Sequence, residues 1–136
     1  MLHPRVEGNI FSTDLAEYCT RQVSINKVLE ECKVLITDFS SIAYDAFYRG
    51  SNVIFWWKGK SNHLGRYKVN DLMLREEFIF GDIVYNRFEL ANILERCYNS
   101  KQRGEFSKVY RGIVRFSDGR NTERLIEFLE RDGWLY

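Results

Sequence analysis

Hydrophobic positions along the chain fall alternately into helical stripes and short unbroken runs. Ile25, Val28 and Leu29 recur at helical spacing behind Ser24, a good N-cap residue, so the pattern predicts a helix over 25–31 whose apolar face is core. Residues 33–37, hydrophobic from Val34 on and rich in β-branched side chains, read as a strand buried on both faces of a parallel sheet. A polar turn at 38–41 follows, then a helix over 42–49 closed by Gly50 and a second apolar strand over 52–57. Two such strands joined by one helix make a right-handed βαβ unit, and sheets of this kind bind ligands at the carboxyl ends of their strands.

Beyond the second strand the pattern loosens. Residues 58–75 carry Lys58, Lys60, His63, Arg66, Lys68 and Arg75 against Asp71 alone, which reads as a basic, mobile loop or lid. A strand-like run over 79–85 is interrupted by Gly81-Asp82, and 88–98 shows helical spacing through Leu90, Ile93, Leu94 and Cys97. After a polar break at 99–104 comes a helix through Phe106, Val109 and Tyr110. Asp118-Gly119 marks a turn, and 121–131 reads as a closing helix with Leu125, Ile126, Phe128 and Leu129 inward. The order, with neither repeats nor low-complexity segments, predicts an α/β fold: a Rossmann-like parallel sheet with flanking helices.

Composition narrows the function classes. With 136 residues, 45% hydrophobic and 15% aromatic, the chain can bury one core, so residues 1–136 are expected to form a single domain. A net charge of +1 gives no global reason to expect nucleic acid. Cys19, Cys32 and Cys97 are odd in number and widely spaced, so neither a disulfide framework nor a zinc site is implied, and a reducing cytoplasm is the default. No metal and no cofactor enters this reading. No apolar run approaches the roughly 20 residues of a membrane span, and the opening Met1-Leu2-His3-Pro4 is not a signal peptide.

Candidate chemistry concentrates in two polar segments. Thr37, Asp38, Ser40 and Ser41 lie where a strand hands over to a helix, and unpaired N–H groups together with the helix dipole favour an anion there. Either serine hydroxyl, or Asp38, has a plainer role available as a helix cap. The second segment, Asp118-Gly119-Arg120-Asn121-Thr122-Glu123-Arg124, also precedes a helix and carries guanidiniums suited to bidentate phosphate contacts. Two helix starts converging on one ligand make a more specific reading than either alone. Taken singly, His3 and His63 read as solvated surface residues. Of the pair Trp56-Trp57, one ring should enter the core while the other faces a ligand or partner, and the apolar Trp134-Leu135-Tyr136 tail should pack on something.

The pattern His3-Pro4, then Val34-Leu35-Ile36-Thr37-Asp38-Phe39-Ser40-Ser41 with Tyr44-Asp45, then Asn52-Val53-Ile54-Phe55, Gly81-Asp82-Ile83-Val84 and Asp118-Gly119 with Arg124, resembles the C-terminal part of the CDP-glycerol glycerophosphotransferases, the teichoic-acid primase and polymerase family. The resemblance implies a GT-B architecture with the nucleotide held in the C-terminal of two Rossmann-like domains. It also implies transfer of glycerol phosphate, or a related polyol phosphate, from CDP-glycerol to a lipid-linked polymer acceptor. Ser40 and Ser41 would meet the donor phosphates, with Thr37 and Asp38 beside them. Arg124 and the backbone around Asp118-Gly119 would hold the far side of the same donor. His3 would match the family's histidine-proline motif, proposed to act as acid or base or to bind phosphate. By the same carry-over the protein would work in the cytoplasm, peripheral to the inner face of a bacterial membrane, either as a homodimer or with a missing N-terminal domain.

Departures from the family pattern sharpen the picture. Phe39 replaces the family's tyrosine and Tyr44 its phenylalanine. Trp56-Trp57-Lys58-Gly59-Lys60 stands in place of an acidic, tyrosine-containing segment, and the usual proline-glycine-proline is absent before Ile83. A second essential histidine belongs to a preceding domain, so the chain is expected to be a donor-binding part, inactive alone. Two alternatives stay open: a fragment of a related GT-B sugar-nucleotide transferase or epimerase, and a non-catalytic interaction module.

Overall fold

A computed structural model describes residues 24–58 and 76–135, in a chain divided into two units, Met1–Glu31 and Cys32–Tyr136. Within the first unit, helix α1 (Ile25–Glu31) starts where the pattern places it, with the Ser24 carbonyl accepting from the Val28 N–H at 3.1 Å. His3, His63 and all of the basic segment after Lys58 lie outside the described residues.

The second unit runs through β1 (Val34–Thr37), α2 (Ile42–Tyr48), β2 (Asn52–Trp56), a 3-10 turn (Glu76–Phe78), β3 (Asp82–Val84), α3 (Arg87–Asn99), α4 (Gly104–Ile113) and α5 (Asn121–Arg131). All pairing is parallel, in the order β1-β2-β3. Val34 lies opposite Asn52 and Thr37 opposite Phe55, while Ile54 lies opposite Asp82 and Trp56 opposite Val84. Helix α2 packs on β1 and β2, and α3 packs on all three strands. This is the predicted α/β, Rossmann-like arrangement. Among the described residues no helix is long and apolar enough to cross a membrane.

Side chains alternate across β2, and each face has its own core. On one face Ile54, Val84 and the α3 residue Cys97 are buried, packed by Val34, Trp56, Leu90, Ile93 and Leu94. On the other, Phe55 meets Phe80 edge-on at 5.7 Å, and Phe80 meets the rings of Phe47 on α2 and Tyr110 on α4 at 5.3 and 5.2 Å. Such ring pairs contribute about 1 kcal/mol each beyond the area they bury. Gly81 lets the chain into β3 pass close to β2, since a Cβ there would collide with the Val53 carbonyl oxygen. That close approach explains the glycine that interrupts the predicted strand, which is shortened to Asp82–Val84.

Three expectations need correction. β1 is not buried on both faces, because it flanks rather than centres the described sheet and leaves Ile36 exposed. Leu125, Ile126 and Phe128 on α5 do not point inward; Leu125 is 56% and Phe128 46% exposed. Their spacing is amphipathic, but no described element covers that face. Trp134 and Leu135 are likewise exposed.

The amino ends of the strands are fastened by side chains. The Asn52 amide donates to the Cys97 and Ser100 carbonyls at 2.7 and 2.9 Å, satisfying the unpaired end of α3. Gln102 does the same for the Phe47 and Ser51 carbonyls, at 2.7 and 2.8 Å. Asp82, only 11% exposed, accepts from Arg96 at 2.6 Å and from Arg103 at 2.7 Å through the same oxygen, and the Cys97 thiol donates to its other oxygen at 3.4 Å. Burial, and then the adjacent Asp82 carboxylate, push that thiol's pKa up.

Candidate functional site

At the opposite, carboxyl edge of the sheet, β1 ends at Thr37 and the chain turns through Asp38, Phe39 and Ser40 into α2. The Ser40 carbonyl accepts from the Ala43 N–H at 3.3 Å and the Ser41 carbonyl from the Tyr44 N–H at 3.0 Å. Ser41 occupies the N-cap position, but with helical dihedrals (φ −63°, ψ −17°) and no capping bond from its hydroxyl. Capping normally needs an extended residue whose oxygen bends back over the helix end. Of the two roles open to Ser41, this conformation does not use the cap. Ser41 and Asp38 are exposed, whereas Thr37, Phe39 and Ser40 are half-buried.

The turn is held from within by its aromatic residue. Phe39 lies nearly flat on Trp57, with ring centroids 5.1 Å apart and planes 14° apart. Trp57 is buried just past the end of β2, its backbone N–H donated to the Val84 carbonyl at 2.9 Å and its ring 6.1 Å from that of Phe55. The tryptophan pair is therefore divided between the two cores: Trp57 under the turn, and Trp56 on the α3 side. Trp57 is the ring expected in the core, while Trp56 is only half-buried. Tyr44, beside the turn, sends its ring to Phe80 at 4.9 Å, and its buried hydroxyl lacks a hydrogen-bond partner among the described residues. The Tyr110 hydroxyl donates to the Tyr44 carbonyl at 3.0 Å, and burial, then the nearby Asp45 charge, push its pKa up to about 12.

The second polar segment forms a cluster of its own at the start of α5. Gly119 adopts φ +75°, a left-handed conformation that glycine accepts without strain. This turn brings the Asp118 carboxylate onto the Arg120 N–H at 3.2 Å. Arg124 then grips the same carboxylate with both terminal nitrogens, Nη1 to Oδ1 at 2.8 Å and Nη2 to Oδ2 at 2.5 Å. Nη1 also donates to Asn121 Oδ1 at 3.2 Å, and the guanidinium stands over the Phe116 ring, 4.1 Å from its centroid. The Arg124 hydrogen bonds hold the Asp118 carboxyl well below the usual carboxylate range. Arg120, the other guanidinium, is paired with Glu123 at 2.7 Å.

The structure thus brings Asp118, Gly119 and Arg124 together at one place and aligns Thr37, Asp38, Ser40 and Ser41 at another. Among the described residues no hydrogen bond, ion pair or ring contact joins the two groups, and His3 lies outside them. Sequence reasoning named Asn121 and Arg124 but not the contacts that hold each group in place. Asn121 and Arg124, three apart on one helical face, carried a readable signal. Nothing in the pattern marked Phe116 or paired Phe39 with Trp57.

Comparison with known proteins bears on both segments. The family model for CDP-glycerol:poly(glycerophosphate) glycerophosphotransferase matches residues 1–131. The minor teichoic acid biosynthesis protein GgaB of Bacillus subtilis (strain 168) is 27% identical over 128 residues, covering 90% of this chain and 14% of GgaB. The chain therefore spans about a seventh of that relative's length. No solved structure matches significantly. The matched region takes in the turn after β1, the three parallel strands and the Asp118–Arg124 cluster, and the chain belongs to the CDP-glycerol:poly(glycerophosphate) glycerophosphotransferase family.

Proposed function

We propose that this chain supplies the donor-binding part of a glycerophosphotransferase that moves glycerol phosphate, or a related polyol phosphate, from CDP-glycerol onto a teichoic-acid-like polymer. The family match over residues 1–131 carries this reading. The placement of Thr37, Asp38, Ser40 and Ser41 at the carboxyl edge of a parallel sheet supports it, since ligands of such sheets bind there. In this reading the Ser40 and Ser41 hydroxyls and the backbone of the turn meet the donor phosphates, while Arg124 neutralises charge on the same group. Phosphoryl transfer depends on positioning and charge neutralisation more than on covalent chemistry by the protein. His3 serves as acid, base or phosphate ligand, and the second histidine comes from a preceding domain in a GT-B enzyme working at the inner face of the cell membrane.

Calorimetric titration tests the reading. CDP-glycerol and CMP should bind, and the double variant Ser40→Ala/Ser41→Ala should weaken both at least tenfold, the loss of about one charge-assisted hydrogen bond. Preference for UDP or GDP would transfer the chain to a related sugar-nucleotide enzyme. Flat titrations with every nucleotide would overturn donor binding and favour an interaction module, for which the exposed face of α5 and Trp134 is the motivating observation.

A further inference from the structure

The grip of Asp118 on Arg124 bears on how the donor is held, a role that rests on the donor-binding reading proposed for the chain. A guanidinium has five N–H bonds in a fixed plane. Nη1 spends its two on Asp118 Oδ1 and Asn121 Oδ1, at 2.8 and 3.2 Å, and Nη2 spends one on Asp118 Oδ2 at 2.5 Å. One face of the fork is covered by Phe116. That leaves the Nε–H and the second Nη2–H, which lie side by side along one edge, parallel, at the spacing of two phosphate oxygens. No described residue accepts from Nε, and the Arg124 side chain is 32% exposed.

Asp118 is itself a poor candidate for touching the donor. An ionised carboxylate only accepts hydrogen bonds and repels an anionic phosphate. We propose that Asp118 is a positioning residue that, with Asn121 and Phe116, holds Arg124 so that its Nε/Nη2 edge offers two parallel donors to a phosphoryl group of the nucleotide donor. An unrestrained arginine loses rotamer freedom on binding. Arg124 has already lost it, so less of the contact is spent on ordering. The bland alternative is that Asp118 only closes the turn before α5, through the Arg120 N–H.

The test uses the 136-residue chain, CDP-glycerol as ligand, and two readouts: calorimetric affinity and the arginine side-chain region of ¹H–¹⁵N spectra. Asp118→Asn is expected to weaken CDP-glycerol about tenfold without moving the thermal midpoint, and Asp118→Glu to recover part of the loss. Asn121→Ala should weaken it in the same direction by less. Arg124→Lys, which keeps the charge but not the fork, should lose as much as Arg124→Ala. CDP-glycerol should shift the Arg124 Nε–H resonance, and that resonance should broaden in Asp118→Asn. If Asp118→Asn binds like wild type while Ser40→Ala/Ser41→Ala does not bind, the positioning role is overturned and the donor reading stands. If Asp118→Asn lowers the midpoint, Arg124→Lys decides, and wild-type affinity there overturns the proposal. If the wild-type chain binds neither CDP-glycerol nor CMP, both readings fall.

Discussion

A methyl group at position 81 has nowhere to go: it would run into the Val53 carbonyl oxygen and meet the Phe55 ring at 3.0 Å. Gly81→Ala should therefore lower the unfolding free energy by about 1–3 kcal/mol in urea titrations, the usual cost of forcing atoms into a packed core. Tyr110 sets a different limit. Its phenol titrates near 12 in the folded chain against about 10 when unfolded, so the folded state holds the proton more tightly. The stability this represents is fully present below pH 10 and is lost as pH rises from 10 through 12. It amounts to something on the order of 2 kcal/mol. Tyr110→Phe should flatten that alkaline decline, read from denaturation midpoints between pH 9 and 12. Asp118 shifts the other way: its pairing with Arg124 holds the carboxyl below the usual carboxylate range, but the pair is exposed and adds little to stability at any pH.

Asp82 joins elements, as it ties β3 to α3 through Arg96 and to the approach of α4 through Arg103. Asp82→Asn should cost about 1–2 kcal/mol in chemical denaturation, a modest figure because both arginines keep one side in water. Arg96→Ala alone should cost less, since Arg103 still satisfies the carboxylate. At this scale the sequence was most legible. The helices α1 to α5 and three parallel strands stand close to where periodicity placed them, because the 3.6 and 2.0 repeats are local properties of the chain. Three features lay beyond its reach. That β1 flanks the sheet depends on neighbours rather than on its own residues. That Ser41 leaves the cap unused depends on its backbone dihedrals. That α5 turns Leu125 and Phe128 outward depends on what covers it, and a hydrophobic stripe records only that something can. The two polar segments of the candidate site were visible as motifs, whereas the rings beneath them, Phe39 on Trp57 and Phe116 under Arg124, come from distant or unpatterned positions.

For the whole molecule, the exposed stripe of α5 makes a simple prediction. Leu125→Ser and Phe128→Ser, alone or together, should change the urea midpoint of the chain by no more than about 0.5 kcal/mol equivalent per site, because neither side chain is buried in the fold. A large loss would mean the stripe is covered in solution. The fasteners of the sheet, Asn52, Asp82 and Gln102, sit at its amino edge, and the turn from Thr37 to Ser41 sits at its carboxyl edge. Substitutions at well-separated sites of this kind act independently. If the turn does meet the donor, as proposed, its exposed positions Asp38 and Ser41 can be exchanged without reopening the question of whether the chain folds, whereas Phe39, stacked on the buried Trp57, cannot.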